Sequence, residues 1–203
     1  MTARSPFKFL DSYEKQDKDI FFGREKETEE LYHKVFESKL LLIYGVSGTG
    51  KTSIINCGLA NKFEDSDWMP VSVRRGRNVV VSMERELAKV SLSGRENEEY
   101  RISNDEGRIL KLIRSVYLDH FKPVYLIFDQ FEEVFIEGSK KERAEFIEVL
   151  KAILDADLQC RVIISMREEY IAGLAEFEEY IPGILDNRFR VEKMTPKNAL
   201  EVI

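Results

Sequence analysis

Short apolar runs alternate along the chain with longer stretches in which apolar residues recur three and four positions apart. The short runs predict five β-strands, at residues 40–44, 69–73, 123–128, 161–165 and 188–191, the last on a weaker pattern. The longer stretches predict helices at residues 25–37, 52–62, 79–92, 106–121, 140–154 and 168–177. Unalternating apolar strands are typical of parallel sheets covered on both faces. The pattern therefore predicts an α/β fold with a mainly parallel sheet between helical layers.

Two segments fall outside this alternation. Residues 91–106 are polar and charged and contain Gly94, Asn97 and Asn104, which predicts a mobile excursion. Thr195-Pro196 followed by residues 197–203 has the pattern of a capped helix with proline in its first turn. The chain stops inside that predicted helix, so we expect the protein to continue. The predicted organisation is an N-terminal segment at 1–24, a core at 25–194 and the start of a lid at 195–203.

Composition narrows the class of protein. The 203 residues include 31 Lys and Arg against 37 Asp and Glu, for a net charge of -6. This balance is typical of a soluble globular domain and disfavours a general cationic surface for nucleic acid. No stretch approaches the ~18 apolar residues of a membrane span, so we expect no membrane association and a cytoplasmic protein.

The cysteines and histidines suggest no metal chemistry of their own. Cys57 and Cys160 lie far apart and predict free thiols in a reducing compartment. His33 and His120 fall in separate predicted helices without partners at ligand spacing. A transition-metal site is therefore not expected.

A glycine-rich turn follows the first predicted strand and reads Gly45-Val46-Ser47-Gly48-Thr49-Gly50-Lys51-Thr52. It matches the phosphate-loop pattern Gly, four residues, Gly-Lys-Ser/Thr. Glycines let backbone N–H groups turn towards an anion, and the following helix adds its positive N-terminal end. Lys51 would reach the β- and γ-phosphates, and Thr52 would coordinate Mg²⁺. An ordinary glycine turn is the alternative, but the apolar strand before it and the helix after it favour a phosphate loop.

A Mg²⁺-nucleotide site also needs a carboxylate at the end of a neighbouring strand, and Asp129 follows the strand predicted at 123–128. The 77 positions between Thr52 and Asp129 accommodate an intervening strand. This spacing favours a three-layer P-loop NTPase core with strand order 5-1-4-3-2. Gln130 stands where a water-activating glutamate often follows the aspartate. Glu132 or Glu133 is the candidate base, although both also fit a solvated acidic helix start.

Arg167 follows the fourth predicted strand, at the same end of the sheet as the phosphate loop. It would contact the γ-phosphate or stabilise its developing charge. The alternative is a surface arginine paired with Glu168 or Glu169.

A second basic stretch, Arg74-Arg75-Gly76-Arg77, follows the second predicted strand. As a phosphate-contacting patch it would favour an origin-type ATPase acting on nucleic acid. We favour a solvated strand edge, since the net charge is negative. A small-molecule kinase would need an acceptor pocket of its own, and a GTPase is disfavoured because no Asn-Lys-x-Asp segment follows the later strands.

Several stretches carry a family resemblance. Phe22-Gly23-Arg24-Glu25, preceded by Pro6-Phe7-Lys8-Phe9-Leu10 and followed by the phosphate loop, resembles the opening of the novel STAND NTPases, signal-transduction ATPases related to AAA+ and origin-recognition ATPases. Four further stretches occur in the expected order: Gly50-Lys51-Thr52-Ser53 with Gly58-Leu59, Asp129-Gln130-Phe131-Glu132-Glu133, Arg167 with Tyr170, and residues 189–194. Val46, in place of a common proline, and the Glu168-Glu169 pair depart from the family pattern.

The resemblance implies a function and roles for residues. Phe22 and its neighbours in segment 1–24 would border the adenine, Arg24 would help to hold the nucleotide together with residues 45–53, including Ser53, and Arg167 would report on the γ-phosphate. ATP, ADP and Mg²⁺ are the implied ligands. MgATP binding would favour a closed or assembled state, and slow hydrolysis would reset it. The implied partners are a C-terminal helical lid, winged-helix, sensor and effector domains of the same protein, and further copies in an ATP-dependent homo-oligomer.

Overall fold

The computed structural model describes residue 8, residues 11–92 and residues 105–194. Most of the excursion predicted at 91–106 lies outside these ranges, as does the helix predicted at 195–203. Within the described ranges the strands are β1 Leu40–Gly45, β2 Met69–Val73, β3 Val124–Phe128, β4 Cys160–Arg167 and β5 Arg188–Arg190. The α-helices are α1 Glu25–Glu37, α2 Lys51–Ser53, α3 Val79–Val90, α4 Asp105–His120, α5 Glu133–Ile136, α6 Lys140–Asp155 and α7 Ala175–Glu178.

The five strands form one parallel sheet in the order β2-β3-β4-β1-β5. This confirms the predicted order, which is the same when counted from the other edge. β4 lies between β1 and β3, with Gly45 opposite Arg167 in one register and Phe128 opposite Ile164 in the other. The phosphate loop, Arg167 and Asp129 therefore leave the same edge of the sheet.

Two apolar cores cover the two faces of the sheet. Leu40 and Leu42 of β1 pack in the larger core with α3, α4 and α6. Leu41 and Ile43 point the other way and pack in the smaller core with α1 and the helical segment after the phosphate loop. Because neighbouring strand residues face opposite sides, the unalternating apolar strands are explained by burial on both faces.

Two polar residues mark where helices begin. The Asn78 side chain accepts a hydrogen bond from Val81 N at 3.0 Å at the start of α3. The Ser139 hydroxyl accepts one from Glu142 N at 3.1 Å at the start of α6. Each cap satisfies a backbone donor that the helix itself leaves unpaired, which explains why these helices start so close to the predicted positions.

The helix predicted at 52–62 is not a single regular α-helix. α2 passes into a π-helix at Ile54–Gly58 and then into a 3₁₀-helix at Leu59–Asn61. A Cβ at Gly58 would lie 2.7 Å from Thr28 Oγ1, so glycine lets this segment pass close to α1. The Asn61 side chain donates to Cys57 O at 2.8 Å and reinforces the irregular turn. Periodicity identified the helical segment and missed the change in its winding.

The helix predicted at 168–177 is also different in the structure. Residues Glu168–Leu174 form a 3₁₀-helix, and α7 begins only afterwards, at Ala175. A Cβ at Gly173 would lie 2.8 Å from Phe135 Cδ1, which shows how tightly this segment packs against α5. Tertiary packing here overrides the apolar periodicity that predicted a regular helix.

Both cysteines are free, as predicted, and both are also buried. Burial raises the pKa of Cys57 to about 11 and that of Cys160 to about 12. Each is therefore a neutral thiol that packs as a small apolar side chain. In the described part of the chain, no helix combines the length and the apolar character needed to cross a bilayer.

Candidate functional site

The phosphate loop connects β1 to α2 in a conformation that depends on glycine. Gly48 and Gly50 have φ angles of 78° and 85°, in the left-handed region. A Cβ at Gly45 would lie 2.4 Å from Val191 O, so the backbone after β5 approaches the start of the loop closely. The Thr49 hydroxyl donates to Val46 O at 3.0 Å and closes the loop on itself. A loop that contains residues in the left-handed conformation can turn successive backbone N–H groups to one side, and such a concave surface is suited to anions.

Lys51 opens α2 and folds back over the loop. Its Nζ donates to Gly45 O at 2.8 Å and to Val46 O at 3.0 Å. Burial lowers the pKa of Lys51, the nearby Arg167 guanidinium lowers it further, and the carboxylates of Glu132 and Asp129 oppose both effects. The ammonium group is thus held at the loop by neutral carbonyl groups, beside two carboxylates and a second cation.

Thr52 and Asp129 meet at the end of β3. The Thr52 hydroxyl lies 3.1 Å and 3.2 Å from the two carboxylate oxygens of Asp129, which is buried. Asp129 N donates to Val73 O at 3.0 Å, and the next residue, Gln130, has a left-handed φ of 57° that turns the chain away. The sequence predicted that these two side chains would come together.

The donor atoms at this point fit a hard divalent cation. Hydroxyl and carboxylate oxygens are the ligands that Mg²⁺ prefers. When the Thr52 hydroxyl donates a hydrogen bond to Asp129, the lone pairs of its oxygen remain available to a cation. The chemistry of the two side chains is therefore compatible with the metal role expected of them.

Asp129 has a further partner that sequence reasoning missed. Arg74, the first residue after β2, places Nη2 3.1 Å from Asp129 Oδ2 while its side chain is 62% exposed. Its neighbour Arg75 is buried and paired with Glu142. The prediction of a solvated strand edge is therefore wrong for Arg75, and a phosphate-contacting patch loses that member. The signal that could have found Arg74 is its position beside Asp129 on adjacent strands.

Glu132 and Arg167 form an ion pair at the same edge. Arg167 Nε lies 3.1 Å from Glu132 Oε1, and Arg167 N donates to Glu132 Oε2 at 3.2 Å. Glu132 is buried, whereas Arg167 is 47% exposed. Glu168, one of the two partners considered for Arg167, pairs with Arg190 at 2.9 Å instead. Glu133 starts α5 and is half-buried.

Arg24 supports the loop from behind. Its buried guanidinium donates to Thr49 O at 2.8 Å and to Glu192 O at 2.9 Å, and it forms an ion pair with Glu27. The contacts of Arg24 are thus to the backbone of the loop and of the segment after β5. The family resemblance implied a role near the nucleotide without showing this arrangement.

A cavity of about 350 Å³ opens beside the phosphate loop. Phe22, which is 41% exposed, lies at its wall. The other lining residues include Tyr13, Ile20, Gly48, Ser53 and Met194. An apolar cavity next to a phosphate loop is suited to a flat aromatic base.

Comparison with known proteins places this geometry in context. A family model described as Novel STAND NTPase 1 matches residues 6–203. A sequence search of curated proteins finds no match.

Similar solved structures include a Walker-type ATPase of Pyrococcus abyssi, with a TM-score of 0.62 and 13% identity over 95% of this chain and 59% of that chain. The ORC1 protein of Aeropyrum pernix in complex with DNA has a TM-score of 0.59 and 13% identity over 91% of this chain and 49% of that chain. The ORC2 protein of Aeropyrum pernix, in ADPNP-ADP complexes, has a TM-score of 0.61 and 15% identity over 94% and 51%. This chain spans about half to three-fifths of their lengths. At such identity the likeness concerns the fold.

Proposed function

The chain belongs to the novel STAND NTPase 1 family, and from this premise we propose that it binds MgATP at the phosphate loop as a conformational switch that slow hydrolysis resets. The observation that supports the proposal most is the approach of the Thr52 hydroxyl to the Asp129 carboxylate at 3.1 Å, beside Lys51. Lys51 and Thr52 belong to α2 and Asp129 follows β3, and together the three residues supply a phosphate ligand and ligands for a hard cation.

In this proposal Lys51 exchanges its loop carbonyl partners for the β- and γ-phosphates. The exchange is favourable because a hydrogen bond from an ammonium group to an anionic oxygen is stronger than one to a neutral carbonyl. Thr52 and Asp129 would hold Mg²⁺, and that ion would neutralise phosphate charge when bound. Residues 45–53 would cradle the phosphates, and the cavity walled by Phe22 would take the adenine.

Glu132 and Arg167 carry the proposed hydrolytic step. In the ion pair, Arg167 engages both carboxylate oxygens of Glu132. A γ-phosphate that attracts Arg167 frees Glu132 to accept a proton from the attacking water. Arg167 then faces the charge that develops on the phosphoryl oxygens. Of the two candidate bases, burial next to Lys51 favours Glu132 over Glu133.

The rest of the protein enters the proposal through the segment after β5. Residues 195–203 would begin the helical lid, and winged-helix, sensor and effector domains would read its position. ATP-dependent assembly into a homo-oligomer is the corresponding output. A ligand shifts such an equilibrium only as far as its affinity differs between the two states, so MgATP and MgADP must bind differently.

Calorimetric titration of the 203-residue chain with MgATP, MgADP and MgGTP tests the proposal. We expect adenine-selective binding and a loss of about 100-fold in affinity for Lys51→Ala, since charge-assisted hydrogen bonds contribute about 1.5–3 kcal/mol each. Lys141→Ala is the matched control, because that lysine is 85% exposed on α6. Binding of MgATP by Lys51→Ala as tight as that of the wild type would contradict the site, and identical binding of MgATP and MgADP would contradict the switch.

A further inference from the structure

The register of the sheet places Arg74 beside Asp129. Val73 pairs with Phe128 across β2 and β3, and Asp129 N donates to Val73 O at 3.0 Å. Arg74 and Asp129 are the residues that follow this pair on each strand. Strand pairing in the core therefore holds the two residues side by side, and Arg74 Nη2 lies 3.1 Å from Asp129 Oδ2.

The oxygen that Arg74 engages belongs to the proposed metal site. Asp129 Oδ2 also lies 3.2 Å from the Thr52 hydroxyl, so the guanidinium and the hydroxyl converge on one carboxylate. Arg74 and a divalent cation carry charge of the same sign, and both are attracted to Asp129. A guanidinium group and a divalent cation held by the same carboxylate would repel each other substantially, even at a high effective dielectric constant.

The Arg74 side chain is also able to leave. It is 62% exposed and borders a polar cavity of about 310 Å³ that Asp129 and Thr52 line as well. Because the Arg74 guanidinium is already in contact with water, solvation replaces part of the attraction that it loses when it leaves the buried carboxylate. Arg74 can therefore move into solvent when another cation approaches Asp129, without any change in the core.

We propose that Arg74 is a positioning residue that neutralises Asp129 when no divalent cation is present and so reduces the dependence of nucleotide binding on Mg²⁺. This inference rests on the proposed function. Without metal, the Arg74 charge offsets repulsion between Asp129 and the phosphates. With metal, Arg74 has to withdraw, which opposes metal binding. Arg74 thus narrows the difference between the affinities for MgATP and for metal-free ATP.

The test compares ATP affinity in excess Mg²⁺ and in excess EDTA for the full chain and three variants. For Arg74→Gln we expect the ratio of the two affinities to rise about tenfold, through weaker binding in EDTA and equal or tighter binding in Mg²⁺. Arg74→Lys keeps the charge and should restore part of the wild-type ratio. Arg85→Gln is the matched control, since Arg85 lines the same cavity, is 61% exposed and pairs with Glu86.

The outcomes separate the two proposals. An unchanged ratio in Arg74→Gln, or an equal loss of affinity under both conditions together with a lowered melting temperature, would overturn the role of Arg74 while leaving nucleotide binding intact. A change of the same size in Arg85→Gln would show a general charge effect and would also overturn it. If the wild type binds ATP under neither condition, the proposed function fails, and the inference built on it fails too.

Discussion

Arg74 and Arg75 are neighbours in the chain, and each forms an ion pair with a buried carboxylate. The two ion pairs differ in how far the arginine is exposed to water. Glu142 lies 3.0 Å from Arg75 Nε and 2.9 Å from Arg75 Nη2, and it also accepts from Val79 N at 2.9 Å. Both charged side chains of that pair are at most 8% exposed. Asp129 is similarly buried, but its partner Arg74 is 62% exposed and reaches it through Nη2.

The difference in exposure between Arg75 and Arg74 distinguishes an ion pair that holds the fold together from one whose partner can be exchanged. The Arg75–Glu142 pair links the loop between β2 and α3 to α6 in a geometry that fills both carboxylate oxygens. Charge buried in this way is costly to unpair. The Asp129 region leaves one partner in contact with water, so the carboxylate can change partners without exposing the core. Of the two arginines that directly follow β2, Arg75 therefore pairs within the packed interior and Arg74 pairs at the candidate site.

The largest effect we expect comes from breaking the closed pair. Glu142→Ala removes both contacts of the buried Arg75 with Glu142 and leaves it Glu137, which is 65% exposed, as its ionic partner. The variant should destabilise the protein by about 3 kcal/mol, the lower end of the cost of breaking a buried pair, measured by urea unfolding. Glu145→Ala, on the same helix, is the control, because Glu145 is 37% exposed and lies 3.5 Å from Lys141. That control should stay within about 0.5 kcal/mol of the wild type.

A double variant sharpens this prediction. Arg75→Met with Glu142→Leu removes both charges and should recover much of the lost stability, because apolar side chains of similar volume often replace buried ion pairs without net cost. Should the double variant prove as unstable as Glu142→Ala, the buried charge would not be the cause.

Glu132 provides an intermediate case, since it is buried like Glu142 but its partner Arg167 is 47% exposed. Glu132→Gln keeps the shape and should change the unfolding free energy by about 1 kcal/mol. Its ATP hydrolysis rate should fall about 100-fold, within the usual contribution of a general base. Glu133→Gln should retain most of the rate in the same phosphate-release assay. A reversed order of the two variants would assign the base to Glu133.

The smallest expected effect concerns protons. Burial lowers the pKa of Lys51 below the ordinary lysine value of 10.5, so the unliganded protein loses this proton at a lower pH than a solvated lysine does. Phosphates favour the charged form, so ATP binding at alkaline pH should take up protons, and affinity should fall as pH rises through the lowered pKa. Titrations in buffers of different ionisation enthalpy measure this uptake. Lys51→Arg, which stays charged, should show none, and equal uptake in both proteins would contradict the assignment.

Local pattern and spacing predicted the features that depend on neighbours in the chain. The interval between Thr52 and Asp129 favoured a fold with one strand inserted between the phosphate-loop strand and the acid-bearing strand, and β4 does lie between β1 and β3. The apolar runs located all five strands. The convergence of the phosphate loop, Asp129 and Arg167 on one edge follows from parallel pairing alone. These features need no knowledge of side-chain packing.

The features that were missed depend on partners far away in sequence. Arg75 is buried because Glu142, 67 positions later, reaches it from α6. Glu142 occupies the third position of its helix, where its sequence pattern equally suits a local capping box with Ser139. The winding of the segment after the phosphate loop depends on the close passage of Gly58 past Thr28. No periodicity within either segment carries this information.

Arg24 can also be regarded as a mechanical part. The planar guanidinium group of Arg24 donates to Thr49 O at 2.8 Å and to Glu192 O at 2.9 Å. Because the group is rigid, it fixes the distance between these two carbonyl oxygens. A relative displacement of roughly 0.6–0.7 Å stretches either hydrogen bond to a donor–acceptor distance of about 3.5 Å, at which little of its strength remains. Displacement of residue 192 relative to the phosphate loop is therefore opposed by the two hydrogen bonds of Arg24.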